Sequence, residues 1–260
     1  MRSYDVLCET AVGALITGGY WSREAQLEPF AELLRAAARP PDAGTSHFGP
    51  WRDLELYPAL RLLYAGGIAS TLARNWEMLR ILTRDFEVLN LSDYSLRPAS
   101  YALHPDWLAE HLEGDNRTSL IFPDRRYPMP LTEYLYGTSR EPLREYTSNE
   151  AVYKEAFDRF EILLALVIMN LDPYAETRGP EASLPSRCRY IYERPYGEPT
   201  ATYERIKGES EEQGMSWGSA ASGLIQAGAE ALGVYWRKWT NWLSVRLGDS
   251  TGWPTSSLRA

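Results

Sequence analysis

The sequence predicts a mainly all-α fold: an irregular helical bundle or helical-hairpin array with long ordered loops and at most one short strand pair. Three observations predict it. The segment YKEAFDRFEILLALVIMNLD, residues 153–172, opens with charges at nearly every third position and ends almost purely apolar. The N-terminal segments repeat apolar residues at the helical period. Only RCRYIYER, residues 187–194, alternates well enough to read as a strand.

The quoted segment is the centre of the expected fold. Its continuous apolar run, Ile162 to Met169, is far short of the roughly 20 residues that span a bilayer. At about 100° per residue, Tyr153, Phe157, Phe160, Leu164, Val167 and Leu171 form one stripe. The second half is apolar all round, as in a helix covered by neighbours on every side. A core helix over 149–171 follows.

Helices are expected at 2–17 and 23–38, the second with Leu27, Phe30, Leu33 and Leu34 on one face. Pro40-Pro41 closes it, and a loop of Gly, Pro and Ser leads to Pro50. LYPALRLLYAGGIASTLARNWEMLRIL reads as an antiparallel helical hairpin, 57–65 and 67–83, with Pro58 in a first turn and Gly66-Gly67 as a break or close crossing. Residues 84–103 and 114–130 read as ordered loops, and further helices are expected at 104–113, 130–146 and 216–247. Gly18-Gly19 in TGGYW reads as the cap after the first helix. The Pro/Gly/Ser-rich stretch after Leu171 opens a linker, within which residues 197–214 are polar and expected to be mobile. The expected organisation is a helical core domain at 1–172, a linker with a possible short strand at 173–215, and a Trp-rich helical appendage at 216–260 packed on the core.

A net charge of -8 over 260 residues argues against binding nucleic-acid phosphates or an anionic membrane surface. Cys8 and Cys188 make no disulfide framework and no zinc spacing. The N-terminal residues do not read as a signal peptide, so a cytoplasmic setting is expected.

Asp158 and Glu161 lie three apart on one flank of the core helix. Like charges so placed want a cation from elsewhere, with Arg61, Arg74 and Arg159 as candidates. They are either a structural ion pair at the core edge or an acid/base pair in a pocket with Tyr57, Arg61 and Tyr64. HPDWLAEH offers His104, Asp106, Glu110 and His111, but the histidines are seven apart rather than the four of zinc helices; His47 is the remaining histidine. No nucleophile elbow, dinucleotide fingerprint or P-loop occurs. No cofactor, metal or catalytic residue is expected unless Asp158 and Glu161 are the acid/base pair of a hydrolase or transferase. In the last helix Leu232, Tyr235, Trp236, Trp239, Trp242 and Leu243 share an apolar face opposite Arg237, Lys238 and Asn241. The expectation is that Tyr235, Trp236, Trp239 and Trp242 form an interface, with a second copy or a protein partner. Small residues before it, Gly218, Ala220, Ala221, Gly223, Ala227 and Gly228, suit close helix approach.

Tyr57-Pro58-Ala59-Leu60 leading into LLYAGGIA, the central FDRFEILLALV, and Trp217 followed by GLIQAG together resemble the helical C-terminal region of large bacterial antiviral defence effectors. The resemblance spans most of residues 4–246. In that family the region follows a module resembling a sirtuin or Toll/interleukin-1-receptor enzyme, or a nuclease. What the resemblance implies is a sensing, autoinhibitory or assembly role beside an effector that performs the chemistry. No such module precedes Tyr4, and AEALG stands where a glycine-rich turn is expected. The chain is therefore expected to be either a piece of a larger effector or a regulator of a separate one.

Overall fold

The computed structural model describes residues 1–23, 26–39, 54–89, 95–103, 129–171, 201–226 and 229–248, with side chains in the last stretch described at 232–241. Among them are ten α-helices and one two-stranded antiparallel sheet, so the fold is all-α.

Helix α1 (Arg2–Trp21) lies along α3 (Tyr57–Ala73), with α2 (Glu28–Ala37) covering both. Leu27 and Leu34 are buried, while Phe30 and Leu33 pack at the core's edge. Gly66-Gly67 does not divide α3. That helix runs through to Ala73 and ends at Arg74, whose φ of 53° makes it a left-handed cap. The glycines are there for approach instead. A Cβ at Gly19 would sit 2.6 Å from the Gly66 carbonyl oxygen, and one at Gly67 would sit 2.1 Å from the Phe160 ring. Gly18 and Gly19 therefore belong inside α1, at its crossing with α3 and under the Phe30 ring, rather than capping it.

Asn75 starts α4 (Trp76–Arg80) by accepting from the Met78 N–H at 3.2 Å, and its amide donates to the carbonyls of Gly19 and Ser22. A π-helical turn, Ile81–Asp85, follows. Residues 84–103, expected as loop, hold the strand pair β1 (Glu87–Leu89) and β2 (Leu96–Pro98), with Val88 opposite Arg97, and then α5 (Ala99–Ala102). The expected strand at 187–194 and the helix at 104–113 lie outside the described residues. Helix α6 (Pro130–Arg140) stops short of 146, giving way to a turn and a 3-10 turn at Arg144–Tyr146.

Helix α7 (Glu150–Leu171) is buried over most of its length. Asn149 caps it by accepting from the Val152 N–H at 3.1 Å, and every residue from Ala156 to Met169 is buried. The polar segment 197–214, which the sequence reads as mobile, instead holds helix α8 (Ala201–Gln213), packed on α7 and on the last helix. Tyr203 and Ile206 supply its apolar contact, and polar anchors supply the rest. Helix α9 (Gly218–Ala221) packs tightly, because a Cβ at Gly218 would meet the Trp76 indole at 2.1 Å. The last described element is α10 (Ala229–Gly248). No helix of the described residues is long and apolar enough to cross a membrane.

Candidate functional site

Tyr57, Arg61 and Tyr64 stand at i, i+4 and i+7 on α3, so they share one side of it. All three are buried. Their partners nonetheless diverge. Tyr57 donates to Asp5 Oδ1 at 2.5 Å, Arg61 donates to the same oxygen, and the Tyr134 hydroxyl of α6 donates to Asp5 Oδ2. One carboxyl on α1 thus gathers donors from α3 and α6. Burial pushes the Tyr57 and Tyr134 phenols up from their ordinary range, in keeping with their role as donors to Asp5. Desolvation pulls the Arg61 guanidinium down, partly offset by Tyr134. Burial likewise pushes the nearby Cys8 thiol up, away from the thiolate that nucleophilic chemistry needs.

Tyr64 turns toward α7 instead. Its hydroxyl donates to Glu161 Oε1 at 3.2 Å, and its ring meets Phe157 and Phe160. Asp158 and Glu161 are each 0% exposed. The cation beside Asp158 comes from its own helix: Lys154 Nζ reaches Asp158 Oδ2 at 2.7 Å. None of the three arginines expected to serve the pair does so. Arg61 is bound to Asp5, and Arg159 points to α8, where it forms a two-pronged bond to Glu209 at 2.6 and 2.7 Å. Arg74 caps α3. The expected site therefore separates into an Asp5 cluster at one end of α3 and a Tyr64–Glu161 contact further along it.

Arg159 holds the Glu209 carboxyl below the usual glutamate range, chiefly by hydrogen bonding. A depressed folded-state pKa contributes stability above the ordinary carboxylate range, and that stability is lost as pH falls through the folded value. Urea titrations from neutral to acid pH should therefore show Glu209→Gln less stable than wild type at neutrality, with the difference shrinking as the solution is acidified.

Asp5 is absent from the residues the sequence singles out, although a signal for it exists. It occupies a core position of α1, in register with Cys8, Val12 and Ile16, where a lone acid demands a buried donor. Tyr134 carries no such signal.

The interface expected of Tyr235, Trp236 and Trp239 is largely interior. Trp236 and Trp239 are 1% and 0% exposed and Tyr235 is 9%. Helix α8 covers the two indoles: Tyr203 stands edge-on to both, and Trp236 Nε1 donates to Ser210 Oγ at 2.7 Å. Burial pushes the Tyr203 phenol up to about 12. The Trp242 and Leu243 side chains lie outside the described residues, as do His47, His104, Asp106, Glu110, His111 and Cys188. Loop 222–226 is tied down as well. Arg80 donates to the Ser222 carbonyl, Arg84 to the Leu224 carbonyl and Asn170, and Asn170 accepts from the Gln226 N–H.

A surface depression of about 690 Å³ lies at the α6–α7 corner, lined by Arg140, Arg144, Asn149 and Glu150 among others. It does not reach Asp158 or Glu161. Among the described residues no group of acids, histidines and cysteines is placed to hold a metal ion. Comparison with protein-family models, with curated proteins and with solved structures gave no match.

Proposed function

We propose that the chain is a non-catalytic sensor, regulatory or assembly module that controls a fused or separate effector in a bacterial antiviral defence system. One observation carries this reading. The two carboxyls best suited to acid/base work, Asp158 and Glu161, are sealed in the core and engaged by Lys154 and Tyr64. A general acid or base must come within hydrogen-bond reach of a substrate proton, and a fully covered carboxyl does not. The polar groups of α3 and α7 serve instead to fix helices to one another, which suits a body that presents a fixed surface to a protein partner in the cytoplasm.

The test uses the protein encoded beside this one. Its activity is measured alone, with the wild-type chain and with the Glu161→Gln chain. The module reading expects the wild-type chain to change the effector's activity and to turn over nothing by itself. Glu161→Gln should act only to the extent that it lowers stability. Turnover by the isolated chain, lost in Glu161→Gln at unchanged folding, would establish the hydrolase or transferase alternative.

A further inference from the structure

Of the large apolar side chains left exposed among the described residues, three lie on α1: Val6, Leu7 and Trp21, at 73%, 78% and 63%. Two of them fall on a single outward seam. Ser3, Leu7, Thr10, Ala14, Thr17 and Trp21 follow one another at steps of four, three, four, three and four, the spacing with which one helix lines another. All are exposed except Ala14, which is half-buried. We propose that this seam is a self-association surface, on which α1 of a second copy of the chain docks antiparallel about a two-fold axis.

The order of sizes is what singles out a second copy. Reversed against itself, the seam puts Trp21 beside Ser3, Leu7 beside Thr17 and Ala14 beside Thr10 of the other copy. The outer layers each join one large apolar side chain to one small one, which is how facing helices fill space without voids or clashes. The central layer is small on both sides. Helices that cross at an angle come closest at the crossing and part toward their ends, so small residues suit the middle and Trp21 fills the widening gap. A two-fold contact requires the same patch to complement itself, and this one does.

Gly13 flanks Ala14 at that centre, and a Cβ there would meet nothing within 4 Å. A mid-helix glycine weakens a helix relative to alanine, and packing among the described residues gives no reason for this one; a closely crossing helix does. Val6, one turn pair earlier on the same flank, widens the apolar face. The Thr17 hydroxyl is already engaged by the Gly13 carbonyl of its own helix at 2.9 Å, so it needs no partner across the contact. Tyr146, 3.5 Å from Thr17 through its hydroxyl, borders the seam.

Charge permits the pairing. The chain carries a net -8, yet the exposed residues of α1 include one cation and one anion, Arg2 and Glu9, so α1 itself adds no net charge to the contact. Antiparallel docking also sets Arg2, at the amino end, beside the carbonyl end of the other α1, whose last turn has no basic residue.

The proposal stands apart from the effector reading, since mass alone tests it. Light scattering on the full chain, sized over the micromolar range, should give twice 29.5 kDa. Leu7→Glu should weaken the dimer at least about tenfold, with the helical circular dichroism of the wild type retained, and Thr17→Arg should do the same. An equimolar mixture of the two variants should recover the dimer, because antiparallel docking brings position 7 of one chain to position 17 of the other. If Leu7→Glu fails to fold, Thr10→Arg in the central layer replaces it as the disrupting variant. A monomeric wild type, a dimer indifferent to these substitutions, or a mixture that stays monomeric would each overturn the proposal; the last would mean a parallel pairing or another surface.

Discussion

Val167→Asp is expected to leave the chain unfolded at room temperature, and Leu164→Ala to lower its stability by about 2–5 kcal/mol. Both positions lie within the buried run of α7, at 0% and 1% exposure. Leu164→Ala removes methyl groups and opens a void that close packing repairs only in part. Val167→Asp adds a carboxyl to an apolar surrounding, where an isolated charge costs far more than lost contacts unless it takes up a proton. Domains of this kind hold only about 5–15 kcal/mol in total. Circular dichroism with urea titration checks both variants. A Val167→Asp chain that melts as the wild type does would remove α7 from the centre of the fold.

Asp5→Ala should cost about 3 kcal/mol, the lower end of what breaking a buried ion pair costs. The lower end applies because the Asp5 side chain keeps 16% of its exposure, against 7% for Arg61. The loss comes mainly from what is left behind: a guanidinium and two phenols whose shared acceptor has gone. Replacing both charged partners, as Asp5→Leu with Arg61→Met, should therefore cost less than Asp5→Ala alone. The order of the two unfolding midpoints checks this. If the double variant is the less stable, the pair attracts more strongly than its desolvation opposes, and the cluster is a stronger clamp than the burial of Arg61 implies.

These two sites differ in how far the sequence reveals them. Helix α7 is legible because it is apolar all round over its second half, a pattern that only burial on every side satisfies. Helix α3 is partly legible. Gly66-Gly67 looks the same whether it breaks a helix or lets two helices touch, and only the positions of Gly19 and Phe160 decide between them. Helix α8 is hidden, because Thr202, Tyr203, Ile206 and Ser210 are a sparse inner face and much of its hold on the core is the Arg159–Glu209 pair. That has a consequence for α10. With no cover foreseen for Trp236 and Trp239, their surface looks surplus and available for an interface. Among the candidate residues, the common face of Tyr57, Arg61 and Tyr64 follows from spacing alone. Their separate partners do not, since the relative placement of α1, α6 and α7 is a property of the packed bundle.

If the module reading is right, the carboxyls of α7 hold the structure together rather than act on a substrate. A double-mutant cycle of Tyr64→Phe and Glu161→Leu, read by urea unfolding, separates these roles. Tyr64 donates to Glu161 at 3.2 Å between two fully buried side chains, and an intramolecular hydrogen bond contributes about 1 kcal/mol net. Each single variant should be destabilised, and the two should be coupled by about 1 kcal/mol. Variants that unfold as the wild type does, with no coupling between them, would contradict a structural role for Glu161.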